Sequence, residues 1–468
     1  MLEIQSIFDA MHAASRQSPA PDWALRADRL RRLRLLVMAN RAAFAKAISA
    51  DFSNRSQQET ELAEVFPAVE GIAHALRHGK RWMRVRRRST GIWFKPARST
   101  LMPQPLGVVG VVAPWNYPLL LATGPMTAAL AAGNRVMLKQ SEYTPRFADL
   151  FARLIAASFA PDEIAVVNGD AEVARAFSHL PFDHLLFTGS TAVGRQVMRA
   201  ASEHLTPVTL ELGGKSPAII GPEADFDKAV ERILVGKLLN AGQTCIAPDY
   251  VLLPKDQLQR FAESAHRIAA KLYPDLARNQ DYTSIVSPRH FERLQSLIDD
   301  ARLLGAQVLP LSDIASDAAA GVFARRLPPV MLTNVNDGMR VMQEEIFGPL
   351  LPLLPYGSLD QAIDYVNAHP RPLALYLFEK NQASIDRVMR HTVAGGVAIN
   401  ETLLHILQDD LPFGGVGASG MGAYHGEHGF QALSKMKPIF RQSALNGMAL
   451  FKPPYGRTFR VMIRLLVR

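Results

Sequence analysis

The sequence predicts an α/β protein built on open, doubly wound sheets of parallel strands. Between residues 107 and 187, short apolar runs alternate with stretches of helical spacing, which is typical of successive β–α units. The length of 468 residues suggests about three domains, and 48% hydrophobic residues are enough for buried cores. Polar motifs follow several predicted strands, at the edge where such sheets bind ligands.

The elements can be predicted in chain order. Residues 1–80 are predicted to be helical, since Ile4, Phe8 and Met11 share one face. Three prolines between 96 and 105 indicate an excursion or linker. The predicted strands are 107–112, 135–138, 164–167, 184–187 and 217–220. The predicted helices are 119–132, 145–158 and 225–239.

The only cysteine, Cys245, stands in a segment that contains no helix-forming pattern. One interpretation is a small buried hydrophobe, and the other is a nucleophile. Gly242 permits a close approach and Pro248 stops a helix, so a turn that presents the thiol is predicted. Glu211 lies 34 residues earlier, at an apolar strand end before two glycines, and is a candidate general base.

This pair of residues resembles the base and nucleophile of the aldehyde dehydrogenase superfamily, which have the same separation. The segments 114–118, 187–190 and 344–349 also resemble that family, so the likeness extends from about residue 100 to 425. The cysteine segment is most similar to the class-3-type branch, and residues 400–426 resemble the bacterial coniferyl aldehyde dehydrogenases. The resemblance implies a Rossmann-like cofactor domain, an α/β catalytic domain and a small oligomerisation element.

The resemblance also implies the site residues. Cys245 would be the nucleophile, Glu211 the base that activates water, and the side-chain amide of Asn116 an oxyanion donor together with the backbone N–H of Cys245. The implied cofactor-binding residues are Trp115, Lys139, Glu142, Gly189, Ser190, Val193, Gly194, Leu212, Gly213, Glu345 and Phe347. No metal site is expected, because His74 and His78 lack a third ligand and are interpreted as a surface pair.

The expected cofactor is NAD, with NADP left open. The turn from Gly189 to Gly194 lacks the usual dinucleotide spacing, but its helix start with Ser190 as N-cap suits a pyrophosphate. By resemblance Lys139 and Glu142 address the adenosine ribose, and a carboxylate there disfavours a 2′-phosphate. Glu345 would bind the nicotinamide ribose, with Phe347 packed beside it.

The implied domain plan places NAD binding in residues 1–95 and 106–210 and catalysis in 211–395. Residues 96–105 and 396–468 would bridge subunits, most simply in a homodimer. A surface loop is expected near 311–326, where the sequence is polar and rich in alanine.

The composition limits which binding partners and which cellular compartment are expected. One cysteine excludes an internal disulfide, and an acidic start without an apolar run indicates no signal peptide, so a cytoplasmic protein is expected. The net charge of +9 could suggest nucleic acid as a partner, but nothing else in the sequence supports it, and no nucleic-acid partner is expected. The basic run 80–88 is instead interpreted as a solvated face with Trp82 packed inward. Arg457, Arg460, Arg464 and Arg468 form a basic amphipathic tail. This tail could rest on acidic lipid, and packing against the rest of the molecule or a partner subunit is an equally good interpretation.

The expected substrate is an aromatic aldehyde such as coniferyl aldehyde, oxidised to its acid. Medium- or long-chain aliphatic aldehydes remain an alternative, as do a non-catalytic protein on this scaffold and a dehydrogenase that passes the acyl group to coenzyme A. The expected pocket linings are Trp115, Tyr117, Thr402, Leu403 and His405.

Overall fold

The computed structural model describes residues 2–312 and 325–467, so the loop predicted near 311–326 lies largely outside it. The helices are α1 (Leu2–Gln17), α2 (Trp23–Ala39), α3 (Arg41–Asp51), α4 (Gln57–Thr60), α5 (Phe66–Trp82), α6 (Leu120–Ala132), α7 (Pro145–Ser158), α8 (Ala171–Ser178), α9 (Thr191–Ser202), α10 (Phe226–Leu238), α11 (Leu258–Leu272), α12 (Pro288–Leu303), α13 (Arg340–Gln343), α14 (Leu359–Ala368), α15 (Gln382–His391), α16 (Gly426–Ala432) and α17 (Arg457–Leu466). The strands are β1 (Arg86–Arg88), β2 (Arg98–Pro105), β3 (Val108–Val112), β4 (Arg135–Lys139), β5 (Ile164–Val167), β6 (His184–Gly189), β7 (Val208–Leu212), β8 (Pro217–Ile220), β9 (Tyr250–Pro254), β10 (Gln307–Pro310), β11 (Val330–Thr333), β12 (Leu350–Tyr356), β13 (Ala374–Phe378), β14 (Gly396–Ile399), β15 (Gly420–Met421) and β16 (Ser434–Arg441).

The first sheet has the order β15-β7-β6-β3-β4-β5, with only β15 antiparallel to its neighbour. Its strands are short apolar runs whose alternate residues enter two different cores. Val109 and Val111 pack with helices α2, α5, α6 and α7, whereas Val108 packs with α1, α8 and α9. Helices therefore cover both faces, and the predicted doubly wound sheet is confirmed.

The second sheet has the order β10-β11-β12-β9-β8-β13-β14, with β10 antiparallel. It too divides its residues between two cores, since Leu252 enters one cluster and Val251 the other. The chain passes from the first sheet to the second between β7 and β8, immediately after Glu211.

The third sheet has the order β1-β2-β16 and corrects the prediction of a linker at 96–105. β2 is a strand although it contains prolines. Its neighbour β1 pairs only with residues 99–101, which are not prolines. Pro103 and Pro105 lie beyond β1, where β2 has β16 as its single neighbour. A proline nitrogen can face the open side of such an edge without losing a ladder hydrogen bond.

The helical prediction for the first 80 residues is confirmed, and the later boundaries agree within about two residues. Trp82 is buried as predicted, at 1% exposure. The surface interpretation is wrong for His74, which is buried with its ring centroid 5.6 Å from that of Trp82. Residues four apart share a helix face, so His74 and His78 lie on the same face as the buried Trp82.

Parallel strands bring three predicted segments together. β7, β6 and β3 are neighbours, so their carboxyl ends lie side by side at one edge of the first sheet. Glu211 lies within the end of β7, Ser190 follows β6, and Asn116 follows β3. This edge is where open α/β sheets place their ligands.

Candidate active site

A cleft of about 800 Å³ opens at this edge, a volume typical of cofactor pockets. The predicted residues that line it are Trp115, Asn116, Gly189, Ser190, Glu211, Leu212, Gly213, Cys245, Glu345 and Phe347. Lys139, Glu142, Val193 and Gly194 stand outside this lining. Most of the residues singled out from the sequence therefore meet around one cleft.

Cys245 lies in a turn that begins where α10 ends. Asn240, Ala241 and Gly242 have φ values of 52°, 50° and 74°, so three successive residues are left-handed before the thiol. Only Gly242 adopts this region without steric cost. The Cys245 side chain is partly buried, and burial, followed by the charges of Glu345 and Glu211, raises the pKa of its thiol to about 12. The resting side chain is therefore a thiol.

Asn116 is hydrogen-bonded to the cysteine turn through both its side chain and its backbone carbonyl. Its Nδ2 donates to the carbonyl of Gln243 at 3.1 Å, two residues before Cys245. An amide nitrogen carries two N–H groups, so one remains for another acceptor. The carbonyl of Asn116 accepts from Arg55 at 3.0 Å and from Asn240 at 3.1 Å.

A fully buried ion pair fixes this region from behind. Arg55 donates to Glu64 at 2.9 Å, and both side chains are 0% exposed. Glu64 also accepts from the backbone N–H groups of Leu119 and Leu120 at 2.7 and 3.2 Å, at the start of α6. A carboxylate at a helix N-terminus satisfies unpaired donors and complements the helix dipole. The turn that carries Asn116 is thus tied at both of its ends.

Glu211 is buried at 2% exposure beside β6 and β15. Among the residues that the structure describes, neither of its carboxylate oxygens has a hydrogen-bond partner. Burial raises the pKa of Glu211 well above its ordinary value. A buried carboxyl with this pKa is suited to accept a proton from water once it is ionised.

The side chain of Glu345 lies directly over Gly213. A Cβ placed on Gly213 would be 1.8 Å from Oε2 of Glu345, so only glycine leaves room for this carboxyl. Burial, followed by the charge of Asp249, raises the pKa of Glu345 to about 8. Glu345 and Cys245 line the same cleft, and the charge of Glu345 contributes to the raised pKa of the thiol.

The cleft has an anion-binding feature at the start of α9. Ser190 caps the helix, because its hydroxyl accepts from the N–H of Val193 at 3.4 Å, as predicted. The other N–H groups of this first turn are available to a phosphate. Gly194 packs against the sheet instead, where an added Cβ would lie 2.6 Å from Leu212.

Lys139 is the last residue of β4 and lies outside the lining of the cleft. Its buried Nζ donates to the carbonyls of Gln140 and Gly169 at 2.6 and 2.8 Å and lies 3.9 Å from the carboxylate of Glu142. Burial lowers the pKa of Lys139, and the charges of Glu142 and Asp170 oppose that shift.

Several residues of the cleft escaped the sequence analysis. Lys215 donates to the carbonyls of Val341 and Glu344 at 2.8 and 3.2 Å and pairs with Asp249, which accepts from the N–H of Ile346 at 3.0 Å. These bonds clamp the segment that carries Glu345. No sequence signal connects Lys215 with residue 341.

Two further residues of α12 were missed. His290 packs edge-on against Trp115, with ring centroids 4.9 Å apart, and Arg293 pairs with Glu344 at 3.1 Å. Phe347 contacts the same tryptophan at 5.3 Å. Trp115 thus joins the turn after β3 to the wall formed by α12, and no residue spacing in the sequence indicates His290.

Of the predicted substrate-pocket residues, Tyr117, Thr402, Leu403 and His405 lie outside the lining of the cleft. The hydroxyl of Tyr117 shares a hydrogen bond with that of Thr244 at 2.7 Å, next to Cys245. Thr402 was predicted to line the pocket, but it is buried and donates to the carbonyl of Arg232 at 2.9 Å. This hydrogen bond holds the segment of Thr402 against α10. Leu403 and Ile406 are partly buried against the same apolar cluster as Cys245.

A thiol, an amide donor and a buried carboxyl therefore meet beside a cleft of dinucleotide size, between two doubly wound sheets. This combination defines a class of enzyme: a dehydrogenase that works through a cysteine nucleophile.

The sequence model of the aldehyde dehydrogenase family matches residues 2–439, and the chain belongs to that family. It is 50% identical over 467 residues to a probable coniferyl aldehyde dehydrogenase of Pseudomonas aeruginosa, covering 100% of this chain and 97% of that protein. It is 44% identical to a coniferyl aldehyde dehydrogenase of a Pseudomonas species, covering 99% and 96%. A solved structure of Staphylococcus aureus AldH in its substrate-bound state has 35% identity and a TM-score of 0.92, covering 99% of both chains.

The predicted C-terminal amphipathic tail is the helix α17, whose side chains stand largely in solvent. Within residues 2–312 and 325–467, no helix has both the length and the apolar character needed to cross a bilayer.

Proposed function

We propose that the protein oxidises coniferyl aldehyde, or a similar aromatic aldehyde, to the carboxylic acid with NAD or NADP as electron acceptor. The observation that carries the proposal is the meeting of Cys245, Asn116 and Glu211 beside a cleft of dinucleotide size. Two relatives that match nearly the whole chain bear the coniferyl name, which supports the aromatic class.

The first stage is the addition of Cys245 to the aldehyde. The thiol proton passes to solvent water, a bond forms between Sγ and the carbonyl carbon, and the carbonyl oxygen becomes an oxyanion as its π bond breaks. The second N–H of Asn116 and the backbone N–H of Cys245 are proposed to donate to that oxygen. One donor of this kind lowers the barrier by roughly 3–4 kcal/mol.

The second stage releases the acid. A cofactor held in the cleft would accept hydride from the carbon of the adduct, which would leave a thioester on Cys245. Glu211 then takes a proton from water, the resulting hydroxide adds to the thioester carbonyl, and the C–S bond breaks. The acid leaves and the thiol is restored.

The cleft fits a dinucleotide on its own features. The free N–H groups at the start of α9 suit the pyrophosphate, while Glu345 and Phe347 are proposed to hold the nicotinamide ribose end. Lys139 and Glu142 are proposed to contact the adenosine ribose. The Glu142 side chain is 41% exposed, so its carboxylate can meet the ribose and disfavour a 2′-phosphate, which favours NAD.

The same proposal includes the assembly. NAD binding is assigned to residues 1–95 and 106–210, catalysis to 211–395, and subunit pairing in a cytoplasmic homodimer to 96–105 and 396–468. The three-stranded sheet supports this plan, because it stands apart from the two large sheets and carries the exposed side chains of Trp93 and Phe440 beside it. α17 is proposed to pack against the partner subunit. Sedimentation equilibrium of the full chain tests the dimer.

NADH absorbance with coniferyl aldehyde, hexanal and decanal tests the reaction, with Cys245→Ser as the inactive control. Cysteine-dependent NADH formation with the aromatic aldehyde preferred supports the proposal. A preference for hexanal or decanal would keep the reaction and reject the aromatic substrate, and a lack of NADH with every aldehyde would reject both.

Glu211→Gln separates the two stages. The glutamine keeps the shape of the side chain but accepts no proton, so we expect one equivalent of NADH per site in a rapid burst and turnover slowed roughly 10²–10⁴-fold. Unaltered steady-state turnover would exclude Glu211 as the base.

A further inference from the structure

The side chain of Asn240, just after α10, links two backbone segments around the nucleophile. Its Nδ2 donates to the carbonyl of Asn116 at 3.1 Å and to that of Gln243 at 3.1 Å. Asn116 stands in the turn after β3, and Gln243 lies two residues before Cys245. An amide nitrogen carries two N–H groups, so both are used. One side chain therefore bridges the two segments that carry the proposed oxyanion donors.

The two acceptors determine which way the amide of Asn240 points. In the reversed orientation its Oδ1 would face two carbonyl oxygens, and two acceptors form no hydrogen bond. The backbone carbonyl of Asn240 in turn accepts from the N–H of Gln243 at 3.0 Å and from its Nε2 at 2.9 Å. Asn240 is thus held in one orientation against the cysteine turn.

The carbonyl of Gln243 is shared between two side-chain amides. It accepts from Nδ2 of Asn240 and from Nδ2 of Asn116, each at 3.1 Å. A carbonyl oxygen has two lone pairs, so this acceptor is fully occupied. The carbonyl of Asn116 is filled in the same way, by Asn240 and Arg55. The second N–H of Asn116 is therefore left for another acceptor, and Asn116 lines the cleft that holds Cys245.

Asn240 occupies a position that is costly for most side chains. It is 0% exposed, and its φ of 52° and ψ of 29° lie in the left-handed region. Asparagine enters this region more readily than most residues with a side chain, but glycine does so without steric cost. Among the described residues, Oδ1 of Asn240 has no hydrogen-bond partner, and a buried unpaired acceptor destabilises the fold. The contribution of this side chain therefore lies in its two donated hydrogen bonds.

Other hydrogen bonds hold the two turns when the amide of Asn240 is removed. The Gln243 side chain is anchored to a neighbouring segment, because its Nε2 donates to the carbonyl of Ser284 at 3.1 Å. The hydroxyls of Tyr117 and Thr244 meet at 2.7 Å and join the turn after β3 to the cysteine turn. A variant at Asn240 is therefore expected to fold and to lose the bridge between the two carbonyls.

We propose that Asn240 is a positioning residue, which holds the oxyanion donor Asn116 in its place against the cysteine turn. The inference rests on the proposed function, since it concerns the oxyanion that forms when Cys245 adds to the aldehyde. Asn240 acts through Asn116, whose carbonyl it binds and whose second N–H it leaves free. Without this bridge the two turns can shift relative to each other, and a misplacement of about 1 Å can slow a reaction roughly 10²-fold.

Asn240→Gly tests the proposal, because it removes the amide and keeps a left-handed backbone that glycine adopts freely. We expect the single-turnover rate of NADH formation with coniferyl aldehyde to fall roughly 10- to 100-fold. The affinity for NAD should not change, since Asn240 stands outside the lining of the cleft. Asn334→Gly is the matched control, because Asn334 has a φ of 55° and is exposed, and it should react at the wild-type rate.

A double-mutant cycle with Asn116→Ala separates positioning from a general structural role. Because Asn240 acts through Asn116, the double variant, Asn116→Ala with Asn240→Gly, should react at the rate of Asn116→Ala alone. Losses that multiply would show that Asn240 acts independently of this donor and would overturn the proposal.

Asn240→Asp keeps the shape of the side chain and tolerates the left-handed backbone, but its carboxylate donates to neither carbonyl. It should lose at least as much rate as Asn240→Gly, and it provides the test if the glycine variant does not fold. A wild-type rate in either folded variant would overturn the proposal, as would failure of both variants to fold, because Asn240 would then be needed for the fold itself. NADH formation by the wild type reports on the proposed function, so an active wild type with unchanged variants rejects this inference alone.

Discussion

Replacing Gly242 by alanine tests whether the left-handed run before Cys245 positions the thiol. Gly242 has a φ of 74°, a conformation that costs an alanine roughly 1–2 kcal/mol. The added Cβ would lie 2.3 Å from the carbonyl oxygen of Gly348 and 3.0 Å from that of Lys237. Both contacts are with backbone atoms, which cannot rotate aside as a side chain would.

The size of the effect follows from these distances. Moving the Cβ from 2.3 Å to the shortest tolerated separation of 3.0 Å requires a shift of about 0.7 Å in the cysteine turn or in the segment of Gly348. Overpacking of this kind costs roughly 1–3 kcal/mol, which adds to the conformational cost and gives about 2–5 kcal/mol in the free energy of unfolding. A misplacement of about 1 Å can slow a reaction 10²-fold, so we expect the NADH burst to slow roughly 10- to 100-fold.

The assay combines thermal unfolding with the pre-steady-state NADH burst, measured on the same preparations. Gly447→Ala is the matched control, because its φ is −86° and no heavy atom lies within 4 Å of an added Cβ. The control should match the wild type in both measurements. A Gly242→Ala protein that unfolds at the wild-type temperature and gives a wild-type burst would refute the argument that this turn positions the thiol.

Two further predictions concern the groups around the thiol. Asn116→Ala removes the proposed oxyanion donor and the hydrogen bond to Gln243, so kcat should fall roughly 10²–10³-fold, and a smaller loss in steady-state assays would exclude the role. Turnover should rise with pH, because burial raises the pKa of Glu211 and its base form is the carboxylate. The stability gained from the neutral carboxyl is complete below its unfolded pKa and is lost as pH rises through the folded pKa, so the unfolding temperature should fall over the range in which turnover rises. Glu211→Gln should remove this titration from both pH profiles, and profiles unchanged by it would assign the titration to another group.

Local periodicity predicted the large sheets because each strand is a continuous apolar run between helices, a pattern that neighbours in sequence determine. It failed at residues 98–105, where the prolines that usually break a strand lie on the open edge of a three-stranded sheet. Proline content alone cannot distinguish a linker from such an edge, because the distinction depends on which strand pairs beside it. β16, more than 300 residues away, decides the outcome.

The candidate site was predictable where a residue type carries its own chemistry. The single thiol and the carboxyl at a strand end stand out by type and by spacing. The groups that hold them do not, since Arg55 reaches the carbonyl of Asn116 across 61 residues and has no motif. A buried arginine is recognised only by the acceptors around it, and these are Glu64, just before α5, and the carbonyl of Asn116 in the turn between β3 and α6.

The raised pKa values of Cys245, Glu211 and Glu345 impose an order on the chemistry. Each group is disfavoured as an anion by burial, and the charges of the two carboxyls further oppose a thiolate at Cys245. A carboxylate at Glu211 therefore disfavours a thiolate at Cys245. In the proposed reaction the addition stage uses the thiolate, and the hydrolysis stage uses the carboxylate of Glu211. By the second stage the sulfur carries an acyl group and no charge, so it does not oppose the ionisation of Glu211.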